Sequence, residues 1–187
     1  MTPLITEDKI IKDKKQIRVL WIANLKPTKR PELFIELAKS FKNKSHIHFY
    51  MIGRENNLYQ NLINEAEKNY TNFHYLGEIR NEEVNNNLIK SHILVNTSDV
   101  EGFSNTFVQA WMRKVLVIST KSNPDEIITR EKIGFVCPTI DDLKSKIEFF
   151  IENPQLLNEM SEKAYRYACE NHSLEKNINK VISLIST

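Results

Sequence analysis

The chain has 187 residues, 41% apolar and 27% charged, an ordinary globular composition with enough length to bury about 70% of the unfolded surface. Its 26 basic and 24 acidic residues leave a formal charge of only +2, which excludes the strong field of a nucleic-acid binder but allows a ligand with a few negative charges. No apolar run approaches the ~20 residues of a membrane span, and the start MTPLITEDKIIKDKKQ lacks a signal peptide's apolar region, so a soluble cytoplasmic protein is expected.

Residues 1–16 are polar and lysine-rich and are expected to be a linker or extended arm. From Ile17, IRVLWIA is apolar enough for a strand buried on both faces of a parallel sheet. Pro31 opens a helix whose Leu33, Phe34, Leu37, Ala38 and Phe41 recur at helical spacing. HIHFYMIG (His46 to Gly53) predicts a second strand, LYQNLINEAEKNY a helix and NFHYLG a third strand ending at Gly77. NEEVNNNLIKS predicts a short helix, HILVNTS (His92 to Ser98) a strand, and EGFSNTFVQAW the start of a helix running to about Lys114. VLVIST, a short helix around DEIITR and the strand IGFVC follow. From about Ile140 the pattern is helical in three pieces, the third with Ser173 as candidate N-cap. About six strands alternating with helices specify an α/β fold, a doubly wound Rossmann-like parallel sheet with a helical C-terminal tail.

Ligands of such sheets bind beyond the carboxyl ends of the strands, at the point where strand order reverses. Only four glycines occur, at 53, 77, 102 and 134, so neither a GxGxxG fingerprint nor a P-loop is present. The first strand-end loop, NLKPTKRP, carries Lys26, Lys29 and Arg30, cations suited to neutralising a diphosphate. In EGFSNTFVQAW, a helix starting near Ser104 or Asn105 would turn backbone N–H groups to the same edge. Glu101 stands before that turn, able to accept hydrogen bonds from sugar hydroxyls, and Asn105 and Gln109 share one helix face. Glu126 belongs to the loop after VLVIST, either reaching a ligand or favouring a helix dipole. Cys137 and Cys169 are isolated and expected to be free thiols, and His46 and His48 share a strand face without a third ligand, so no metal is expected.

The ordered set WIANLKPTKRPELFIELAKSF, FYMIGR, FHYLGEI, SHILVNTSDVEGFSNTFVQAW, VLVIST, NPDEII and IGFVC resembles the C-terminal, donor-binding domain of the family-4 (group 1) retaining glycosyltransferases of GT-B architecture. It covers roughly Ile17 to the C-terminus, making 17–187 one nucleotide-sugar-binding domain. The resemblance implies that Glu101 matches the first acid of the family's E-x7-E motif and contacts the donor sugar. It aligns Gly102, Phe103, Ser104 and Asn105 with the turn that meets the diphosphate, and Lys29 with the lysine of its Arg/Lys pair. Asn24 stands where the arginine is expected, with Lys26 or Arg30 as candidate compensating charges, and Arg54 ends the FYMIGR segment on the same edge. Gly77 to Arg80, Ile79 included, match the loop bordering the base. Gln109 falls at the second acid, which bonds the ribose, and retains an amide oxygen but loses a charge-assisted bond. Lys114 and Leu116 replace the glycine and proline frequent after the motif helix.

The activity implied is sugar transfer from a UDP- or GDP-sugar to a glycan or lipid-linked acceptor, without metal or other cofactor. The acceptor site would come from an N-terminal domain that residues 1–16 cannot supply, so the chain alone is expected to be inactive. Peripheral association of the full-length protein with the inner face of the cytoplasmic membrane is a further expectation from the family. The alternative is a non-catalytic nucleotide-binding or scaffold domain with a degenerate donor site, favoured by Asn24 and Gln109.

Overall fold

Six short apolar runs pair in one parallel sheet: β1 (Ile17–Ile22), β2 (Ile47–Ile52), β3 (Phe73–Tyr75), β4 (Ile93–Asn96), β5 (Leu116–Ser119) and β6 (Gly134–Val136). The computed structural model describes residues 10, 12–13, 15–55, 57–172, 178 and 182. Strand order is β3-β2-β1-β4-β5-β6, so the winding reverses between β1 and β4, where Val19 lies opposite Ile93 and Leu20 opposite Leu94. The loops leaving these two neighbours, residues 23–30 and 97–104, therefore emerge side by side at the carboxyl edge.

Among the described residues, seven helices cover the sheet: α1 (Pro31–Ser40), α2 (Gln60–Asn69), α3 (Asn81–Lys90), α4 (Asn105–Trp111), α5 (Ile127–Arg130), α6 (Ile140–Glu152) and α7 (Pro154–Asn171). Alternation along the strands divides the core in two. Val19, Trp21, Phe49, Met51, Val95 and Ile118 pack with Phe34 and Leu37 of α1, Ile63 of α2 and Leu143, Ile147 and Phe150 of α6. Leu20, Leu94 and Val117 face the other way, against Leu88 of α3, Phe107 and Trp111 of α4 and Ala164 and Ala168 of α7. Burial on both faces explains why these strands are apolar runs rather than alternating ones. The third helix expected in the tail, with Ser173, lies almost wholly outside the described residues.

The motif helix α4 ends at Trp111, three residues before the expected Lys114. Lys114 adopts φ 56°, and the N–H of Val115 bonds the Ala110 carbonyl at 3.0 Å. This is the left-handed helix stop usually given to glycine. It is kept here with a side chain, at about 1 kcal/mol of strain. Gly53 is constrained differently: at φ 150°, a Cβ there would lie 1.6 Å from the Ala23 carbonyl oxygen, so only glycine lets the end of β2 close on that of β1.

Beyond the apolar cover of the second face, the β1–β3 edge carries a ring stack. The Arg18 guanidinium lies 3.6 Å from the Tyr50 ring centroid, and Tyr50 stacks on His74 at 4.7 Å. His48 Nδ1 is 3.1 Å from His74 Nε2. The partner of His48 is thus across the sheet, not His46, which precedes β2. Among the described residues no cluster of three or more metal-ligating side chains occurs, and no helix is long and apolar enough to cross a membrane. Both cysteines are free thiols.

At the opposite, amino edge, His92 anchors the arm. Its Nδ1 accepts the Arg18 N–H at 3.1 Å, so the ring proton sits on Nε2 and is donated to the Asp13 carbonyl at 3.0 Å. Lys12 Nζ donates to the Lys114 carbonyl beside it. Burial lowers the His92 pKa to about 4, with the Lys12 charge acting in the same direction. A histidine whose folded-state pKa is depressed contributes stability above its unfolded pKa and loses it as pH falls toward the folded value. Between pH 7 and 4.5, urea unfolding of the wild type should lose about 2 kcal/mol more than that of His92→Gln; parallel pH profiles would contradict this role.

Candidate functional site

The loop after β1 is built from two prolines. Pro27 starts a 3-10 turn through Lys29, and Pro31 occupies the first turn of α1. Arg30 between them takes φ 49° and ψ 52°, a left-handed conformation costing on the order of 1–3 kcal/mol for a residue with a side chain. That reversal leaves Lys29 at the edge. Its Nζ meets Glu101 Oε1 at 2.9 Å, and both side chains are largely covered.

Glu101 is held from both oxygens, since Asn96 Nδ2 donates to Oε2 at 3.0 Å. Burial pushes its pKa up, but hydrogen bonds from Asn96, Lys29 and Ser98 and the Lys29 charge more than offset this, so the carboxyl lies below the usual range. It is therefore a carboxylate at neutral pH, an acceptor rather than an acid catalyst. Lys29 is fixed through its backbone: the Thr97 hydroxyl donates to its carbonyl at 2.6 Å and itself accepts from Trp21 Nε1 at 2.9 Å. The two loops are also joined by the Asp99 N–H on the Thr28 carbonyl at 2.9 Å.

Of the other cations expected here, Arg30 is engaged. Its Nε contacts Glu32 at 2.5 Å and its Nη1 contacts Asp99 at 3.5 Å, and Lys121 reaches the same Asp99 at 2.6 Å. Asn24 is exposed and accepts the Arg54 N–H at 3.4 Å, while the Leu25 N–H bonds the Arg54 carbonyl at 2.9 Å. Asn24 and Arg54 are thus tied together at adjacent strand ends, and no ion pair forms on Lys26 or Arg54 among the described residues. The Gly53 N–H bonds the Gly77 carbonyl at 2.9 Å, linking the ends of β2 and β3. Gly77, at φ 69°, leads to Ile79, half-buried against the second core.

Ser104 is the N-cap of α4, but its hydroxyl pairs with Thr106 Oγ1 at 2.7 Å instead of capping a backbone N–H. Gly102 and Phe103 precede it on the exposed side, and Asn105 begins the helix. Gln109 lies one turn on, half-buried, its carbonyl accepting from Arg113 Nη1 at 3.0 Å. Arg113 is 1% exposed, and burial lowers its pKa to about 10. Glu126 is exposed at the N-cap of α5, next to Asp125; these residues sit at φ 57° and 49°, two successive left-handed residues clipped by Asn123, whose Oδ1 accepts the Ile128 N–H at 3.0 Å.

Glu101, Lys29 and the 102–105 turn are therefore brought together, and Asn24 with Arg54, Gly77 with Ile79, and Glu126 are arrayed on the same strand-end edge. Asn96, Thr97, Trp21 and Asp99 were not picked out by sequence reasoning. Their available signal is the polar run NTS closing an otherwise apolar strand: Asn96, Thr97 and Ser98 are all buried, and buried polar groups at a strand end imply partners.

Comparison with known proteins supplies the family. The model of "Glycosyl transferases group 1" matches residues 5–167. No curated protein sequence matches the chain. Among solved structures, the C-terminal domain of the group 1 glycosyl transferase LpcC from Francisella tularensis superposes with a TM-score of 0.75 at 21% identity, covering 90% of this chain and 91% of that one. TarM from S. aureus, a variant solved with fondaparinux, α-GlcNAc-glycerol and UDP, gives 0.75 at 24% identity, over 92% of this chain and 36% of its own. HepE from Anabaena, solved with UDP-glucose, gives 0.72 at 16% identity, over 91% and 49%. The chain thus spans about a third to a half of the length of these two proteins. With its six-stranded parallel sheet and a family match over most of its length, the chain belongs to the group 1 glycosyl transferases and has the fold of a GT-B C-terminal domain.

Proposed function

We propose that this chain is the donor-binding half of a retaining glycosyltransferase, which transfers a sugar from a UDP- or GDP-sugar to a glycan or lipid-linked acceptor. The Lys29–Glu101 pair carries this reading: a cation and a carboxylate from two different loops, pinned 2.9 Å apart where the sheet winding reverses. An ammonium has three donors. Glu101 uses one, leaving others for the oxygens of a diphosphate as its charge grows on departure. Glu101, ionised and oriented by Asn96, accepts from sugar hydroxyls. Gly102 to Asn105 offer backbone N–H groups to the phosphates, Gln109 an amide oxygen to the ribose, and the Gly77–Ile79 loop borders the base. Asn24 supplies no charge, and Arg30 is already shared by Glu32 and Asp99. Glu126 lies in a strained loop of the kind that accompanies ligand sites. No metal ligand is required, since lysine and backbone dipoles carry the charge, and retention needs no nucleophile from this half. UDP and UDP-glucose bound in TarM and HepE support a uridine nucleotide as the first probe.

A specific observation favours a second reading, a non-catalytic domain with a decayed site: Asn24 and Gln109 are neutral where the family resemblance calls for charge.

Titrating UDP-glucose, GDP and ADP against the chain while following amide shifts separates these readings. Saturable UDP-glucose binding, weakened about tenfold or more by Lys29→Ala and by Glu101→Ala, is expected from the loss of charged hydrogen bonds; no binding by any nucleotide at millimolar concentration would refute the donor site. Gln109→Glu should tighten nucleotide binding about threefold by restoring a charge-assisted bond, and an unchanged affinity would favour the decayed site. Because the acceptor side is assigned to the part of the relatives that this chain does not span, a steady-state assay of the isolated chain should show negligible transfer. Efficient turnover would overturn that assignment.

A further inference from the structure

The segment carrying Glu101 has little support of its own. No regular secondary structure lies between Asn96 and Asn105, and α4 has only 7 residues, two turns whose orientation must come from packing. On its inner side the loop is held by the bonds of Glu101 to Lys29 and Asn96. On its outer side the contact is aromatic. Phe103, although 41% exposed, sets its ring against His172 with centroids 5.2 Å apart.

His172 caps the C-terminus of the 18-residue α7, and its N–H bonds the Ala168 carbonyl at 2.8 Å. Its ring contacts Tyr167 at 5.8 Å; Tyr167 meets Trp111 edge-on at 5.8 Å, and Trp111 meets Phe107 at 6.0 Å. Trp111 and Phe107 are completely buried. The rings therefore make a circuit from the loop, through the end of α7, back to the core face of α4. His172 Nε2 is buried with no hydrogen-bond partner among the described residues, so on this side the imidazole contributes through its ring contacts with Phe103 and Tyr167. A ring wedged between two others restricts Phe103, and through it the backbone on either side.

We propose that His172 is a positioning residue for the donor loop, fixing the backbone of residues 102–104 through Phe103 so that their N–H groups meet the diphosphate in one geometry. This rests on the donor-site reading above. His172→Ala and Phe103→Ala should each weaken UDP-glucose binding about tenfold, and the double variant no more than either alone, because both remove one contact. His172→Phe, which keeps a ring, should bind within about twofold of wild type, whereas His172→Gln should behave like His172→Ala. Additive losses, wild-type affinity in His172→Ala, or failure of His172→Phe to rescue would overturn the assignment.

A second measurement does not depend on the nucleotide. In the unliganded chain, 15N order parameters of Gly102, Phe103 and Ser104 should fall in His172→Ala and Phe103→Ala and stay at wild-type values in His172→Phe. If the wild type fails to bind UDP-glucose, the donor reading falls while the order parameters still decide the brace: unchanged values in His172→Ala would refute it.

Discussion

The site depends on one ion pair, Lys29 with Glu101, joining residues 72 positions apart in the chain. At partial exposure such a pair contributes only about 0–1 kcal/mol to stability. The surroundings nevertheless invest heavily in it: Asn96 fixes the second carboxylate oxygen, Thr97 fixes the lysine backbone, and the buried Trp21 fixes Thr97. So many polar groups around a pair of small energetic worth are better explained by a function of the pair than by folding. The topology makes the pair possible. Because β1 and β4 are neighbours and the winding reverses between them, two loops remote in sequence leave the sheet together.

Scarce glycine has a structural consequence. With four glycines in the chain, several turns that need a left-handed residue are made by residues with side chains, among them Arg30, Lys114, Asp125 and Glu126. Each costs on the order of 1–3 kcal/mol. Arg30, Asp125 and Glu126 all lie in loops after the carboxyl ends of strands, on the edge that holds the Lys29–Glu101 pair. Strain on that edge is offset by the two-faced core beneath it, where Trp21, Phe49, Phe107 and Trp111 are almost wholly excluded from water.

The fold was legible because its signals are local. Apolar runs with β-branched residues marked the strands, and the spacing of Phe34, Leu37 and Ala38 marked α1. Lys29 and Glu101 were legible through the motifs around them. The groups that orient them were not, because a bond such as Trp21 to Thr97 spans 76 positions and leaves no periodic trace. The same holds for His48, whose neighbour His46 suggested itself by spacing, while the β2–β3 pairing sets His74 opposite Tyr50 and so diagonally within reach of His48. The end of α4 was overestimated because its stop is formed by Lys114 in a conformation that sequence patterns assign to glycine. The brace from His172 is a meeting of two segments far apart in the chain, visible only once α7 is laid across α4.

The carboxyl edge has a competitor for any small ligand. A cavity of about 550 Å³ opens at the amino edge, lined by Lys12, His92, Lys114, Ser161 and Glu162 among others. Mapping amide shifts along the whole chain on addition of UDP-glucose is therefore the most direct test of where this molecule works. The shifts should concentrate at Lys29, Gly77 to Arg80 and Gly102 to Gln109. Shifts confined to His92, Lys114 and Ser161 would contradict it.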